Sequence, residues 1–251
     1  MAAWLILLSI GLPWLGAVAL WLSRDDQPGV QHTLAVGFSV AAGAASLALI
    51  PHASSAVALR IPLGGLFGDA SFVADGLGTF LAAIATVVGS LAVIFSVDYM
   101  KGEAQLGRYY SQVLLFIGAM AGLVLTNSLL FLFFFWEITA LCSYALISFY
   151  NDDPKAVAAG IKALIMTQFG GTGLLAGALV AYAAFGTYEI DHFLGNAQKM
   201  GGLALAGMAF GFLAAAAAKS AQVPFMTWLP DAMEAPTPIS ALIHAATMVN
   251  A

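Results

Sequence analysis

The chain has 251 residues, of which 61% are apolar and only 8% charged, with a mean hydropathy of +0.93. Soluble domains carry roughly 25% charged residues, so this chain cannot cover a water-facing surface, and the same figures exclude disorder, which needs high charge and low hydrophobicity. Its 8 basic residues stand singly against 13 acidic ones, which leaves no footprint for nucleic acid, and its one cysteine, Cys142, excludes an internal disulfide or a cysteine-built metal site.

A membrane helix needs about 20 mostly apolar residues. On that criterion the chain is an all-α membrane protein, a multi-span helix bundle. Spans are predicted near 2–22, 33–50, 77–97, 111–127, 128–149, 157–185 and 202–229, and an eighth begins near 237. The first is expected to be a retained helix. No Lys or Arg precedes it, Arg24 being the first basic residue, and it is long for the apolar core of a signal peptide. The long connection 51–76 contains Pro62 and the Gly64-Gly65 pair between short β-like runs at 56–61 and 71–74, which predicts an external hairpin. Gly118/Gly122 and Gly173/Gly177 suit close helix packing. The loops after spans one, three and five carry Arg24, Lys101, Arg108 and Lys155, against Arg60 and Lys199 on the other side. That asymmetry predicts a cytoplasmic first set and an external N-terminus.

Charge at membrane depth is the informative feature, because a charged side chain at a helix centre costs about 2.5–3.5 kcal/mol on insertion scales. Glu137 follows the apolar run 129–136 and falls near the middle of its span. Either a neighbouring helix satisfies it as a neutral acid, or it carries protons. Lys219 follows Leu213 and five alanines. A single helix over 200–229 would be about 45 Å long, more than a ~30 Å hydrocarbon core, so a break is expected near 219–230. Pro224 is the predicted break, since it lacks an amide hydrogen and clashes with the carbonyl of Ser220. The competing expectation ends the helix at Lys219 and lets that side chain reach the headgroups.

Burial opposes the charged form of an acid and of an amine alike, and pairing restores both. A buried Glu beside a buried Lys would therefore make a proton relay needing no cofactor. His244, eight residues into the last predicted helix, suits such a relay as well as a hydrogen-bonded core position. Lys162, near the start of its span, either snorkels or joins the relay. Asp231 and Glu234 are expected at the interface. Four of the nine prolines (Pro224, Pro230, Pro236 and Pro238) crowd this region. There is no P-loop, no dinucleotide-binding glycine pattern and no Cys/His cluster. No redox or hydrolytic centre, no metal and no cofactor are expected in the chain itself.

The run from Lys219 to Val249, with Pro224, Pro230, Asp231, Glu234, Pro236, Pro238 and His244 at its fixed points, resembles the antiporter-like membrane subunits. These are the proton-pumping subunits of respiratory complex I, their hydrogenase relatives and the Mrp cation/proton antiporters. Phe135-Trp136-Glu137-Ile138-Thr139 resembles the glutamate helix of that family. Phe72 to Leu77, with Tyr99-Met100, resembles the N-terminal segment of the complex I L-type and Mrp A-type branch. The resemblance implies inverted five-helix repeats around a hydrophilic axis. The key glutamate falls on Glu137, the broken-helix lysine on Lys219 and the histidine on His244. It implies an N-terminal segment 1–110 with its loop 51–76, then a first repeat over 111–251. The second repeat of the family has no counterpart here, so the chain is expected to be a fragment or one half of a split subunit that holds a single half-channel.

The leading functional expectation is a proton-translocating subunit of a complex I-like NADH:quinone oxidoreductase or hydrogenase assembly. The alternative is an Mrp-type Na⁺/H⁺ antiporter subunit, and a third reading is an inactive scaffold half. The expected partners are other membrane subunits, the lipid bilayer and protons, with Na⁺ as the alternative ion. Quinone would act only through partner subunits, and no nucleic acid is involved. The expected location is a bacterial or archaeal plasma membrane, with the chain crossing it several times.

Overall fold

The computed structural model describes residues 2–23 and 27–250. Arg24, used in the orientation argument, and the terminal Ala251 lie outside them. Among the described residues, seven helices are long and apolar enough to cross a membrane. They are α1 (Ala2–Trp21), α2 (Pro28–Leu47), α3 (Gly76–Tyr99), α4 (Leu106–Leu125), α5 (Leu129–Ile147), α6 (Pro154–Phe185) and, after the short α7 (Ile190–Asn196), α8 (Gly202–Lys219). The predicted bundle is borne out, with two starts displaced. Helix α2 begins five residues earlier than predicted, with Pro28 in its first turn, where a missing amide hydrogen costs nothing. Helix α4 also begins five residues early, at Leu106, because its polar first turns are covered by neighbouring helices.

Helix α4 is the most buried of the spans and packs on α1, α2, α3 and α5. Its side chains Tyr109, Leu114, Phe116 and Ile117 anchor the largest apolar cluster. Gly118 and Gly122 do not serve one seam. Gly118 admits Trp14 of α1, and Gly122 admits Phe135 of α5. Gly173 does behave as predicted. It lies against Gly211 of α8, where a Cβ would sit 2.7 Å from the Gly211 carbonyl oxygen, so α6 and α8 meet backbone to backbone.

The predicted hairpin is present as strands β1 (Val57–Pro62) and β2 (Asp69–Ala74), antiparallel with Val57 opposite Ala74. It is tied to the helix ends beneath it. Phe72 bridges Thr126, and Asn127 N donates to Ser71 O at 2.8 Å. The same short segment bridges onward from Ser128 to Glu189. Arg60 bonds Asp69 across the hairpin and reaches Glu189 Oε1 at 2.8 Å. The hairpin therefore joins the α4–α5 turn to the segment between α6 and α7.

The helix break lies upstream of Pro224. Helix α8 stops at Lys219, and the chain turns through a left-handed residue, Ala221, at φ 50°. Gln222 N donates to Ala217 O at 2.8 Å and Ala221 N to Ala218 O at 3.4 Å, the paired bonds of a Schellman stop. Pro224 sits in the loop beyond. The carbonyl it was expected to orphan, Ser220 O, accepts from Gln222 Nε2 at 3.2 Å. Two short turns follow, α9 (Trp228–Asp231) and α10 (Thr237–Ala241). The predicted eighth helix does not run on regularly. It widens into a π-turn at Leu242–Ala246, where Thr247 Oγ1 takes the Leu242 carbonyl at 2.5 Å and competes with the helical ladder.

Alanine in the left-handed region is strained by about 1 kcal/mol, whereas glycine is not. Ala221→Gly should therefore raise the thermal unfolding midpoint of the purified full-length subunit, with a gain of up to about 1 kcal/mol reduced by the looser unfolded chain. A lowered midpoint would show that the side chain contributes more than the turn costs.

Candidate functional site

The alanine run ahead of Lys219 lets α8 lie close against its neighbours, and the stop immediately after it leaves Lys219 as the last helical residue. The side chain does not reach for headgroups. It is 1% exposed, among the largest fully buried side chains in the bundle. Its ammonium crosses to α5, where it donates to Trp136 O at 3.0 Å and Thr139 Oγ1 at 2.5 Å. It also lies 4.1 Å from the centre of the Trp136 ring, within the range of a cation–π contact. Trp228 fixes this end of α8 from the loop side. Its buried indole donates to Ala218 O at 2.9 Å, adding a second, shorter bond to the carbonyl that Ala221 N reaches in the helix stop.

Glu137 lies between Trp136 and Thr139 on the same helix, one residue from the middle of α5. It is half-buried and within electrostatic range of Lys219. The ion pair expected from the sequence is not formed in this conformation, since among the described residues no salt bridge joins the two. The reason is geometric: the ammonium is taken up by the α5 backbone and the Thr139 hydroxyl, while the carboxylate turns toward α6. There it faces Gln168 and rests on Gly171, where a Cβ would collide with Oε1.

His244 lies in the π-turn, half-buried. Among the described residues neither of its ring nitrogens has a hydrogen-bond partner. Its segment is linked to α5 through Ser143, whose hydroxyl bonds Thr139 O at 2.8 Å and Met248 Sδ at 2.8 Å. Lys162 is apart from this group. It forms a half-exposed ion pair with Asp231 Oδ2 at 2.8 Å, joining α6 to α9. Pro224 is in the loop, and among the described residues no hydrogen bond ties it to the group.

The group therefore contains an acid, an amine and an imidazole, linked in part by hydroxyls of α5. Sequence reasoning missed Thr139, Ser143, Gln168, Gly171 and Trp228. The first two could have been found from their spacing, since Trp136, Thr139 and Ser143 recur on one face of a helix. The others are visible only once α6 and the loop are in place.

Two family models match. One, described as NADH:quinone oxidoreductase/Mrp antiporter, TM, covers residues 126–251. The other, described as NADH-Ubiquinone oxidoreductase (complex I), chain 5 N-terminus, covers 61–110. Na(+)/H(+) antiporter subunit A1 of Staphylococcus haemolyticus (strain JCSC1435) is 43% identical over 178 residues, which is 70% of this chain and 22% of that protein. The subunit of the same name from Staphylococcus saprophyticus subsp. saprophyticus is 44% identical over 179 residues, with the same 70% and 22% coverage. The chain thus spans about a fifth of the length of these curated relatives. A chain of the Mrp complex from Dietzia sp. DQ12-45-1b superposes with a TM-score of 0.87 at 29% identity, over 98% of this chain and 27% of that one. A chain of the membrane-bound sulfane sulfur reductase, an archaeal respiratory membrane complex, superposes with a TM-score of 0.82 over 98% of this chain and 51% of that one. At 22% identity the latter shows a shared fold alone. Glu137, Lys219 and His244 all fall inside the segment covered by the first model, and the seven apolar helices have the length that a bilayer requires. The chain belongs to the NADH:quinone oxidoreductase/Mrp antiporter family of multi-pass membrane proteins.

Proposed function

We propose that this chain provides a proton half-channel to a Mrp-type Na⁺/H⁺ antiporter, as part of an A-type subunit in a bacterial plasma membrane. The sequence alone ranked a complex I-like assembly first and the antiporter second. The names of the curated relatives, Na(+)/H(+) antiporter subunit A1, support putting the antiporter first. The observation that carries the reading is the buried ammonium of Lys219, held on α5 at the two residues that bracket Glu137 in the chain.

In this mechanism Lys219 has two resting places. In one it bonds Trp136 O and Thr139 Oγ1, as seen here. In the other it swings to Glu137 and neutralises the carboxylate. A proton arriving at Glu137 removes the attraction and returns the amine to Thr139. A proton leaving Lys219 toward His244 leaves a neutral amine, which then takes the proton held on Glu137 and restores both charges. His244, whose ring nitrogens have no hydrogen-bond partner among the described residues, is the acceptor in this reading. Lys162 takes part through Asp231, whose ion pair reports the local field at the end of the loop. Segment 1–110 forms the supporting half and 111–251 the repeat that carries the relay. Na⁺ exchange, and coupling to it, would rest with other membrane subunits.

Glu137→Gln in the full-length subunit, within its assembled complex, tests this. Na⁺-driven proton movement in everted vesicles is expected to fall below a tenth of the wild-type rate, with the complex assembling normally. Wild-type exchange would support the scaffold reading, and loss of the complex would show that the carboxylate serves the fold. A complex I-like pumping subunit is the second reading, favoured by the match of 61–110 to the complex I chain 5 description. It requires an electron donor, so exchange driven by a Na⁺ gradient alone counts against it.

A further inference from the structure

Where α1 stops and α4 starts, the bundle carries a cavity of about 350 Å³. Ser23, Gln105, Arg108, Ser111 and Gln112 give it a mostly polar lining, with the exposed Trp21 at its edge. Among the described residues lining it, Arg108 alone carries charge. Its guanidinium donates to Gln105 Oε1 at 2.7 Å and to Ser148 O at 3.3 Å, and lies 5.7 Å from the centre of the Phe149 ring. A guanidinium has five N–H donors, so three remain beyond those two bonds. Among the described residues no carboxylate pairs with it. Gln112 adds a half-buried amide with no hydrogen bond among the described residues. An apolar stripe leads away from the cavity along the outer face of α1. Leu8, Leu15, Val18 and Leu22 recur there at helical spacing, and all four are exposed.

We propose that this cavity seats the headgroup of an anionic phospholipid of the phosphatidylglycerol class. The phosphodiester takes the remaining N–H groups of Arg108 and the Gln112 amide. The glycerol hydroxyls bond the Ser111 oxygen, and an acyl chain lies along the α1 stripe. Basic pockets between membrane helices suit anionic headgroups, and the planar fork of a guanidinium matches two phosphate oxygens. Trp21 has the amphipathic ring that settles at headgroup depth. The stripe decides for a lipid over free phosphate, which has no use for apolar surface. An ethanolamine headgroup fits less well, because its ammonium meets no carboxylate among the described residues lining the cavity. The proposal stands apart from the proton relay, since Glu137, Lys219 and His244 do not line this cavity.

The test uses the full-length subunit in its assembled complex, reconstituted in proteoliposomes. The probe is a trace of phosphatidylglycerol with a photoreactive diazirine near the glycerol end of one acyl chain, compared with phosphatidylethanolamine carrying the same chain. Cross-linked peptides are mapped by mass spectrometry, and the exposed α3 face at Leu91, Ile94 and Phe95 measures ordinary lipid contact. The glycerol lipid should label the peptides holding Trp21–Ser23 or Gln105–Gln112 about tenfold more than the ethanolamine lipid, as expected for charge-assisted hydrogen bonds, with equal labelling on α3. More unlabelled phosphatidylglycerol in the bilayer should suppress that excess, and excess inorganic phosphate should not. Arg108→Gln should reduce the excess about tenfold, and Arg108→Lys, which keeps the charge and loses the fork, about threefold. Gln112→Leu leaves the bonds of Arg108 in place and should reduce it about threefold, so the test holds even where Arg108→Gln does not assemble. Equal labelling of these peptides by the two lipids, an excess that survives Gln112→Leu and every assembled Arg108 variant, or suppression by inorganic phosphate would overturn the proposal.

Discussion

Lys219→Arg in the full-length subunit should leave an assembled complex that exchanges protons at less than a tenth of the wild-type rate. Arginine keeps its proton under all accessible conditions, with a pKa above about 12, so a step requiring a neutral side chain stops. The site is also matched to a single small ammonium. Two acceptors are provided, Trp136 O and Thr139 Oγ1, whereas a guanidinium brings five N–H donors into a pocket with 1% exposure. Lys219→Met separates charge from packing, since it keeps the length of the side chain and removes a buried cation that has no direct ion pair among the described residues. It should assemble at least as well as wild type and transport no better than the arginine variant. Vesicle exchange rates, normalised to assembled complex on a native gel, decide the matter. Wild-type exchange with arginine would show that deprotonation at this position is unnecessary.

The second large effect is expected at a residue with no chemistry of its own. A methyl group on Gly171 would meet Glu137 Oε1, the far end of a flexible side chain, and little else closely. The carboxylate can move aside, so Gly171→Ala should fold and assemble while losing most of its transport, about tenfold. Gly173→Ala, two residues on, meets the backbone of Gly211. That contact cannot yield, so the α6–α8 seam must open and assembled protein should be lost. The pair makes a sharp contrast on one helix: normal assembly with poor transport at 171, and poor assembly at 173. Equal behaviour of the two in expression and exchange assays would contradict the placement of Glu137 against α6.

Most of the bundle was legible in the sequence because hydropathy over about 20 residues is a strong, local signal. Starts were less so. Helix α2 begins under Gln31 and His32, and α4 under Arg108, polar residues that the predicted spans left out but that neighbours cover: Gln31 is fully buried, and His32 bonds Tyr110 at 2.8 Å. The break was expected at the proline because a proline is visible. The actual stop rests on a left-handed alanine, for which no sequence signal exists, since glycine is the usual occupant. Glu137 and Lys219 stood out as charges in apolar surroundings, and both are drawn to the same stretch of α5. Their lack of a direct ion pair was not legible, because it depends on how α6 presents Gln168 and Gly171 to the carboxylate.

The hairpin has a mechanical consequence. Its hydrogen bonds reach the start of α5 through Asn127, and the bridge from Ser128 to Glu189 reaches the segment that follows α6. The glutamate-bearing helix and the helix facing it are thus stapled at one end, while the loop 148–153 joins them at the other. The backbone bridge resists sliding at its end, whereas the loop 148–153 is a looser tie, so splaying about the bridge is the easier motion. A displacement that separates Glu137 from Gly171 is therefore expected to grow toward the far end, where Lys162 and Asp231 join α6 to the loop after the break. The soluble-looking ornament on the bundle sets the direction in which its membrane half can open.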